Sequence, residues 1–511
     1  MNKLWLFRLT WIALLAIIAP VRGSAQAGFN DDRVMLQGFY WESYRFGHPE
    51  KFHDYAATGW YSVVQEKAAQ IRDARFDLIW LPPPFFSGDY SAGYNPKEYF
   101  KFANSYGDLA HHRALLVALL TNGVEPVADL VFNHRDGTVK WADFHNPDWG
   151  PATICANDEA FSSPDSELFN LPQAQRGAPE ENPPYISHGG SDYAYPSFRD
   201  IDHTNPTVRR DLIKAMRSLR SLGYRGWRYD MVHGFNARWL AVYNRETQPT
   251  FSVGEYDWGA HAIQRGWIWN TATAPAAVGA DHLKTSSSVF DFTTQFALKD
   301  NKGNPRALYG YGNGIGMVGD NTDNLPWKQR AVTFLENHDT GYRTEEDGTP
   351  QKDHKFDSFT NSWEIEQAYA YILTHPGVPC VYWKHYFDWG DELRNKIKAL
   401  INARKVAGVN SGSKINPQNN AMAAGVYAAM IEGTNGSLYV RIGGNDDNWE
   451  PAHSGYANFR DYAHGAGWKV WVGFPDNREF QQAPIRSPMP VPDFHEAATI
   501  QVTENQLDFP Q

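Results

Sequence analysis

Four short segments of this chain end an apolar run in groups able to do acid–base chemistry. Residues 129–134 read Asp-Leu-Val-Phe-Asn-His and residues 226–230 read Gly-Trp-Arg-Tyr-Asp. Residues 253–255 read Val-Gly-Glu and residues 334–339 read Phe-Leu-Glu-Asn-His-Asp. Asp230 and Glu255 stand at the ends of successive apolar runs, which suits a bond flanked by two carboxyls. Cleavage of a glycosidic bond needs that arrangement: one carboxyl protonates the leaving oxygen while the other attacks or activates water. Arg228 lies two residues before Asp230, and on a strand such residues face one side. Its guanidinium is therefore expected to hold Asp230 ionised, as a nucleophile requires. Glu255 needs the opposite treatment, a pKa raised by burial and by the nearby negative charge, to act as the acid. His134, His338 and Asp339 add donors and an acceptor for sugar hydroxyls. A single Asp at a strand end ordinarily caps a helix or turn; four such clusters with compatible roles point to a shared site.

These groups must be carried by elements that bring them together. Apolar runs at residues 34–37, 78–81, 124–134, 226–230, 251–255, 332–339 and 378–383 have the length and composition of buried strands. Between them, residues 108–122, 208–222 and 364–373 show helical spacing, with Leu115, Leu116, Leu119 and Leu120 on one stretch and Leu212, Ile213, Met216, Leu219 and Leu222 on another. Alternating strands and helices imply parallel βα units. Six or seven units with polar residues at the strands' carboxyl ends point to an α/β fold of the (β/α)8 TIM-barrel type. A doubly wound open sheet is the rival, weakened by the lack of a Gly-rich loop after the first strand. Residues 134–203 are rich in Pro, Gly, Asn and Asp and read as a loop-rich inserted domain, B, after the third strand. The barrel is then assigned to 28–133 and 204–407. Residues 408–511 read as a C-terminal antiparallel β domain with a Pro-rich tail, containing a hairpin around Gly433-Thr434-Asn435-Gly436.

The first 27 residues read as an export signal: Lys3 and Arg8, an apolar stretch, then Ser24-Ala25-Gln26-Ala27. The stretch is too short to span a bilayer comfortably, so secretion without a lasting membrane anchor is expected. A net charge of -11 argues against nucleic acid and suits a neutral ligand or a bound divalent cation. The two cysteines, Cys155 and Cys380, form no metal signature, and Cys380 reads as a buried free thiol although export permits a disulfide. With 19 Trp and 26 Tyr the chain is well supplied with rings that can stack on sugars.

The four segments resemble, in order, the four signature regions of the α-amylase family, glycoside hydrolase family 13. Residues 36–43, 80–84, 200–203, 289–294 and 369–377 are similar to the plant-type members in particular. The resemblance implies retaining endo-hydrolysis of α-1,4-glucosidic bonds in starch-like glucans. It implies Asp230 as nucleophile, Glu255 as acid/base and Asp339 as transition-state stabiliser. Arg228, His134 and His338 match partners around the reacting sugar, and Tyr94 matches the tyrosine that stacks under it. The resemblance also implies a structural calcium between barrel and insertion, with Asn133, Asp200, the carbonyl of Gly234 and Asp192 as oxygen ligands; Asp158 is a candidate for a second ion. After Asp230 the chain departs from the family pattern: Met231-Val232-His233-Gly234 puts a titratable His233 where many members carry Lys-His, so His233 is expected on the leaving side of the sugar.

Two other readings use the same fold. One is a relative that transfers glycosyl groups or releases oligosaccharides of fixed length. The other is a non-catalytic carbohydrate-binding protein, against which the complete acid set argues. A monomer acting on an α-glucan, with neither nucleic acid nor membrane as partner, is the expectation.

Overall fold

A computed structural model describes residues 30–492 except 52–56, 138–141, 162–163, 165–167, 180–197, 258–259, 311, 321–322, 345–358, 360 and 445–448. The export signal and Asp192 lie outside the described residues.

Eight parallel strands close into a barrel. They are β1 (Met35–Gln37), β2 (Leu78–Leu81), β3 (Glu125–Leu130), β6 (Gly226–Tyr229), β7 (Phe251–Gly254), β8 (Ser288–Phe290), β9 (Ala331–Thr333) and β10 (Val378–Tyr382). Between β3 and β6, β4 (His134–Asp136) and β5 (Phe198–Asp200) pair antiparallel within the insertion. The barrel expected from alternating runs is thus the observed one, and the open sheet is excluded.

The helices form where capping chemistry and leucine spacing coincide. Asp108 caps the helix Leu109–Thr121 by accepting from the His111 amide, and Leu115, Leu116, Leu119 and Leu120 are buried against the barrel. Asn205 caps Pro206–Leu222, with proline at the first helical position. The cap is therefore Asn205, which leaves Asp200 for other work. Strand β8 escaped the sequence reading because it is three residues long and opens on serines. Its surroundings satisfy them: Ser287 Oγ lies 2.6 Å from Ser252 Oγ, and Asn244 Nδ2 donates to both hydroxyls at 3.1 Å.

The runs at 124–134 and 332–339 overshoot their strands, which end at Leu130 and Thr333. The remainder of each run bends over the carboxyl end of the barrel and carries the polar groups there. After the barrel, a five-stranded antiparallel sheet has the order β11 (Ile415–Pro417), β12 (Tyr427–Glu432), β13 (Ser437–Ile442), β15 (Trp468–Phe474) and β14 (Asn458–Gly465). The β12–β13 hairpin closes at Gly433 and Gly436. Beyond β15 the chain runs back across the amino-terminal end of the barrel. There Arg486 pairs with Asp77 at 2.6 Å and Glu125 at 3.2 Å, and Met489 N donates to the Leu120 carbonyl at 2.9 Å. Cys155 and Cys380 are both buried and are not bonded to each other.

Candidate active site

Backbone pairing continues past the formal strand ends and sets the two central carboxyls side by side. Asp230 N donates to the Leu130 carbonyl at 3.0 Å, and Glu255 N donates to the Tyr229 carbonyl at 2.9 Å. Directly before Glu255, Gly254 faces the ring of Trp267, which a Cβ would strike at 2.2 Å, so the close approach excludes any side chain. After Asp230, Met231 adopts φ 42, and this left-handed residue turns the chain sharply off the strand.

Arg228 is fully buried and stands between three carboxyls. Its Nη1 lies 2.7 Å from both Asp129 Oδ1 and Asp230 Oδ1, and its Nη2 lies 2.7 Å from Glu255 Oε2. The first two contacts are aligned hydrogen bonds, whereas the approach to Glu255 has ion-pair distance without hydrogen-bond alignment. One cation cannot neutralise three buried carboxylates, so a proton must be retained among them. Burial lifts the Glu255 carboxyl well above its ordinary range, opposed by Arg228 and reinforced by Asp230, Asp339 and Asp257. Burial also raises Asp129 to about 7, with Asp230 adding to the rise and Arg228 opposing it. The proton therefore belongs foremost to Glu255, the environment a general acid needs.

Asp129 was not singled out from the sequence, although it opens the first segment. It accepts from Arg228, from Tyr94 Oη at 2.9 Å and from Trp80 Nε1 at 3.0 Å, so it anchors the arginine and the tyrosine together. The signal was available in its position at the end of a barrel strand, two residues beyond buried Val127.

Tyr94, Trp41 and His338 form a set of nearly parallel rings. Tyr94 and His338 centroids are 4.9 Å apart at 7°, and Trp41 lies 5.9 Å from Tyr94 at 4°. Trp41 is a second residue the sequence reading passed over; it lies in the similar stretch 36–43. Burial drives the His338 pKa down to about 3, so the imidazole is neutral. Its Nε2 lies 3.1 Å from Asp339 Oδ2 and its Nδ1 lies 3.1 Å from Gln37 Nε2. A carboxylate only accepts, so the proton is assigned to Nε2, and Nδ1 receives the Gln37 amide. Asp339 is 43% exposed on the cleft. Burial raises its pKa, but His338, Arg343 and Arg228 outweigh this and hold it below its ordinary value.

The other sequence candidates lie around this centre. His134 has protein partners at both ring nitrogens, the Tyr94 carbonyl at 2.7 Å and the Asn133 amide at 3.3 Å, and stacks on Phe198 at 5.0 Å. This geometry makes it a support for Tyr94. His233 Nδ1 faces Asp257 at 3.0 Å, beside the Glu255 strand end. Among the described residues no group of three or more His, Cys, Asp or Glu side chains is placed to hold a metal ion. The implied calcium set differs in kind, because it draws on an amide and a main-chain carbonyl. Asn133 Nδ2 donates to Asp200 Oδ1 at 3.2 Å, and a Cβ on Gly234 would overlap Asn133 Oδ1 at 1.7 Å. Asn133 of the barrel, Asp200 of the insertion and Gly234 of the loop after β6 thus lie against one another, and an amide, a carboxylate and a main-chain carbonyl are the donor types that calcium takes. Asp158 does not fit a second ion: its carboxylate is fully buried, paired with Arg199 at 2.8 Å and receiving the amides of Ala160 and Asp200.

A (β/α)8 barrel whose carboxyl-end rim gathers such acids around one buried arginine defines the class, a glycoside hydrolase. The family model described as alpha amylase, catalytic domain, matches residues 46–252, and that for the alpha-amylase C-terminal beta-sheet domain matches residues 406–472. The chain is 29% identical over 443 residues to probable alpha-amylase 2 of Arabidopsis thaliana, covering 82% of this chain and 89% of the relative. It is 35% identical over 150 residues to the alpha-amylase type B isozyme of Hordeum vulgare, covering 28% of this chain and 81% of the relative. A glucan 1,4-alpha-maltotetraohydrolase of Stutzerimonas stutzeri is 28% identical over 484 residues, 90% of this chain and 78% of that one. The same fold occurs in an alpha-amylase from Geobacillus thermoleovorans solved with acarbose, at TM-score 0.55 and 17% identity over 81% of this chain and 91% of that one. The chain belongs to the α-amylase family.

Proposed function

We propose that this protein is an endo-acting α-amylase that cleaves α-1,4-glucosidic bonds of starch-like glucans with retention, through a covalent glycosyl-enzyme. The observation that carries the reading is the division of labour around Arg228: hydrogen-bonded to Asp230, and only in ionic contact with Glu255, whose carboxyl burial lifts well above its ordinary range. In the first step Glu255 gives its proton to the glycosidic oxygen as that oxygen's bond to C1 breaks, and an Asp230 oxygen forms the new bond to C1. In the second step Glu255 takes a proton from water, the water oxygen bonds to C1, and Asp230 departs as a carboxylate. Asp339 accepts hydroxyls of the distorted ring, His338 is fixed beside it, and Tyr94 underlies the sugar.

Asn133, Asp200 and the Gly234 carbonyl would hold a calcium ion, which would brace the insertion against the loop after β6. Secretion and a monomeric state remain part of the proposal; no described helix is long and apolar enough to cross a membrane. The maltotetraohydrolase relative, matched across most of both chains, favours one second reading, release of oligosaccharides of set length. The test is incubation with soluble starch, following products with time. Random fragments in the α-configuration support endo-hydrolysis; a single product length from the start supports the second reading. Asp230→Asn is expected to lower kcat at least ~10^3-fold, and an active variant refutes the mechanism.

A further inference from the structure

The segment after β9 holds a cation that the bond-breaking scheme leaves unused. Arg343 lies four residues beyond Asp339 and its Nη2 is ion-paired with Asp339 Oδ1. Its Nε donates to the His338 carbonyl at 2.9 Å, and its guanidinium carbon lies 3.9 Å from the centre of the Trp41 ring. Three contacts of different kinds therefore fix one planar group: charge to charge, donor to main chain, and cation to ring face. Arg343 is 15% exposed against 43% for Asp339, so the carboxylate stands toward the cleft and the arginine lies under it.

The segment is braced on both sides of Arg343. Glu42, 1% exposed, accepts from the backbone amide and hydroxyl of Thr344 and pairs with Lys384 Nζ at 3.2 Å. Lys384 in turn donates to the Tyr342 carbonyl at 2.7 Å. A buried ion pair that joins the loops after β1 and β10 thus grips the residues before and after Arg343.

The charged and titratable groups facing Asp339 can be named element by element. His338 and Arg343 share its own segment; Arg228 faces it from β6, Glu255 from the end of β7, and Tyr94 from the loop after β2. Arg228 is divided among Asp129, Asp230 and Glu255, and His338 is neutral. Among the described residues, Arg343 is therefore the full cation in direct contact with Asp339.

We propose that Arg343 is a positioning residue of the active centre, which balances the charge of Asp339 and aims its carboxylate at the hydroxyls of the reacting sugar. This rests on the reading of Asp339 as a transition-state stabiliser. Arg343 engages Oδ1 and His338 Nε2 lies against Oδ2, so both oxygens are held from the protein side while each keeps a lone pair for a sugar hydroxyl. Removing the charge leaves Asp339 with a neutral histidine and a distant share of Arg228, so its proton affinity rises and its aim loosens.

The experiment is steady-state kinetics of Arg343→Met, Arg343→Gln and Arg343→Lys on a maltooligosaccharide of defined length, across the pH range, with thermal midpoints recorded. Both neutral variants are expected to lose about tenfold in kcat with KM changed less than about threefold. The acid limb of their kcat profiles is expected to move up by about half to one pH unit, and Arg343→Lys is expected to restore the limb. Neutral variants whose kcat and acid limb superimpose on wild type overturn the proposal, as does a Lys variant as impaired as Met. If Arg343→Met fails to fold, the Gln and Lys variants carry the same comparison. Asp339→Asn, measured alongside, separates the two readings. If it stays fully active, the assignment of Asp339 fails; if it is inactive while the Arg343 variants are unchanged, only the role of Arg343 fails.

Discussion

At the scale of single residues, the proposed mechanism rests on two carboxyls that contact the same arginine in unlike environments. Asp230 has a directed bond from Arg228, whereas Glu255 has burial and three surrounding acids working to keep its proton. The sign follows: the acid functions only while protonated, so activity falls as pH rises through the Glu255 pKa, and that limb lies above the usual carboxylate range. With an activated substrate whose leaving group needs no proton, Glu255→Gln is expected to lose the alkaline limb of the first step while keeping a measurable rate. Retention of the limb would assign it to another group. Asp129 makes a second test. Replacing it with Asn removes the charge that Arg228 shares and weakens the anchor of Tyr94, with an expected loss of about 10- to 100-fold in kcat/KM. A variant within twofold of wild type would mean the anchor is dispensable. Asp230, Glu255 and Asp339 were legible in the sequence because each closes an apolar run, and Arg228 because it stands two residues before Asp230 on the same strand face. Asp129 was not, since it sits inside such a run, and Trp41 and Arg343 were not, since their meaning lies in contacts across loops.

At the scale of elements, the strands that carry the site are short and the segments beyond them do the positioning. The overshoot of the apolar runs at 124–134 and 332–339 had a physical cause: both continue as buried chain over the barrel mouth, and burial alone cannot distinguish strand from covered loop. The insertion is tied to this mouth through Asn133, Asp200 and the Gly234 loop. If calcium joins them, a chelator should lower the thermal midpoint, and Asp200→Asn should remove most of that chelator sensitivity. Equal midpoints with and without chelator after prolonged warm incubation would contradict the calcium reading. At the opposite end of the barrel, Arg33 is buried with Asp31 at 2.7 Å and Glu125 at 3.1 Å. Arg33→Ala removes the cation paired with Asp31 and leaves Glu125 to Arg486, and should cost about 3–5 kcal/mol in denaturant unfolding; a loss below ~1 kcal/mol would show that solvent or Arg486 compensates.

At the scale of the whole molecule, catalysis and cohesion occupy opposite ends of the barrel. The Pro-rich tail, which carried no message as sequence, is a strap in the structure: Arg486 reaches Asp77 and Glu125, and Arg225 Nη2 donates to the Pro490 carbonyl at 2.9 Å. Its contacts are long-range pairings with residues at the starts of strands and the end of a helix, Asp77, Glu125, Arg225 and Leu120, which no local pattern announces. Truncation after β15 is expected to lower the thermal midpoint by several degrees, roughly 2–4 °C for each kcal/mol in a large domain. kcat and KM should stay within about twofold, because no described residue of the strap touches the residues at the mouth. A truncated protein with unchanged midpoint would make the strap incidental, and one with normal stability but lost activity would refute the separation of ends.

The central claim is that Asp230 becomes covalently bonded to the sugar while Glu255 serves first as acid and then as base. Glu255→Gln treated with α-maltosyl fluoride tests it most directly, because fluoride leaves without a proton and the second step lacks its base. Mass spectrometry of the digested protein should show one maltosyl unit on the peptide that contains Asp230. A label on another residue, or no label while the fluoride is consumed, would contradict the account.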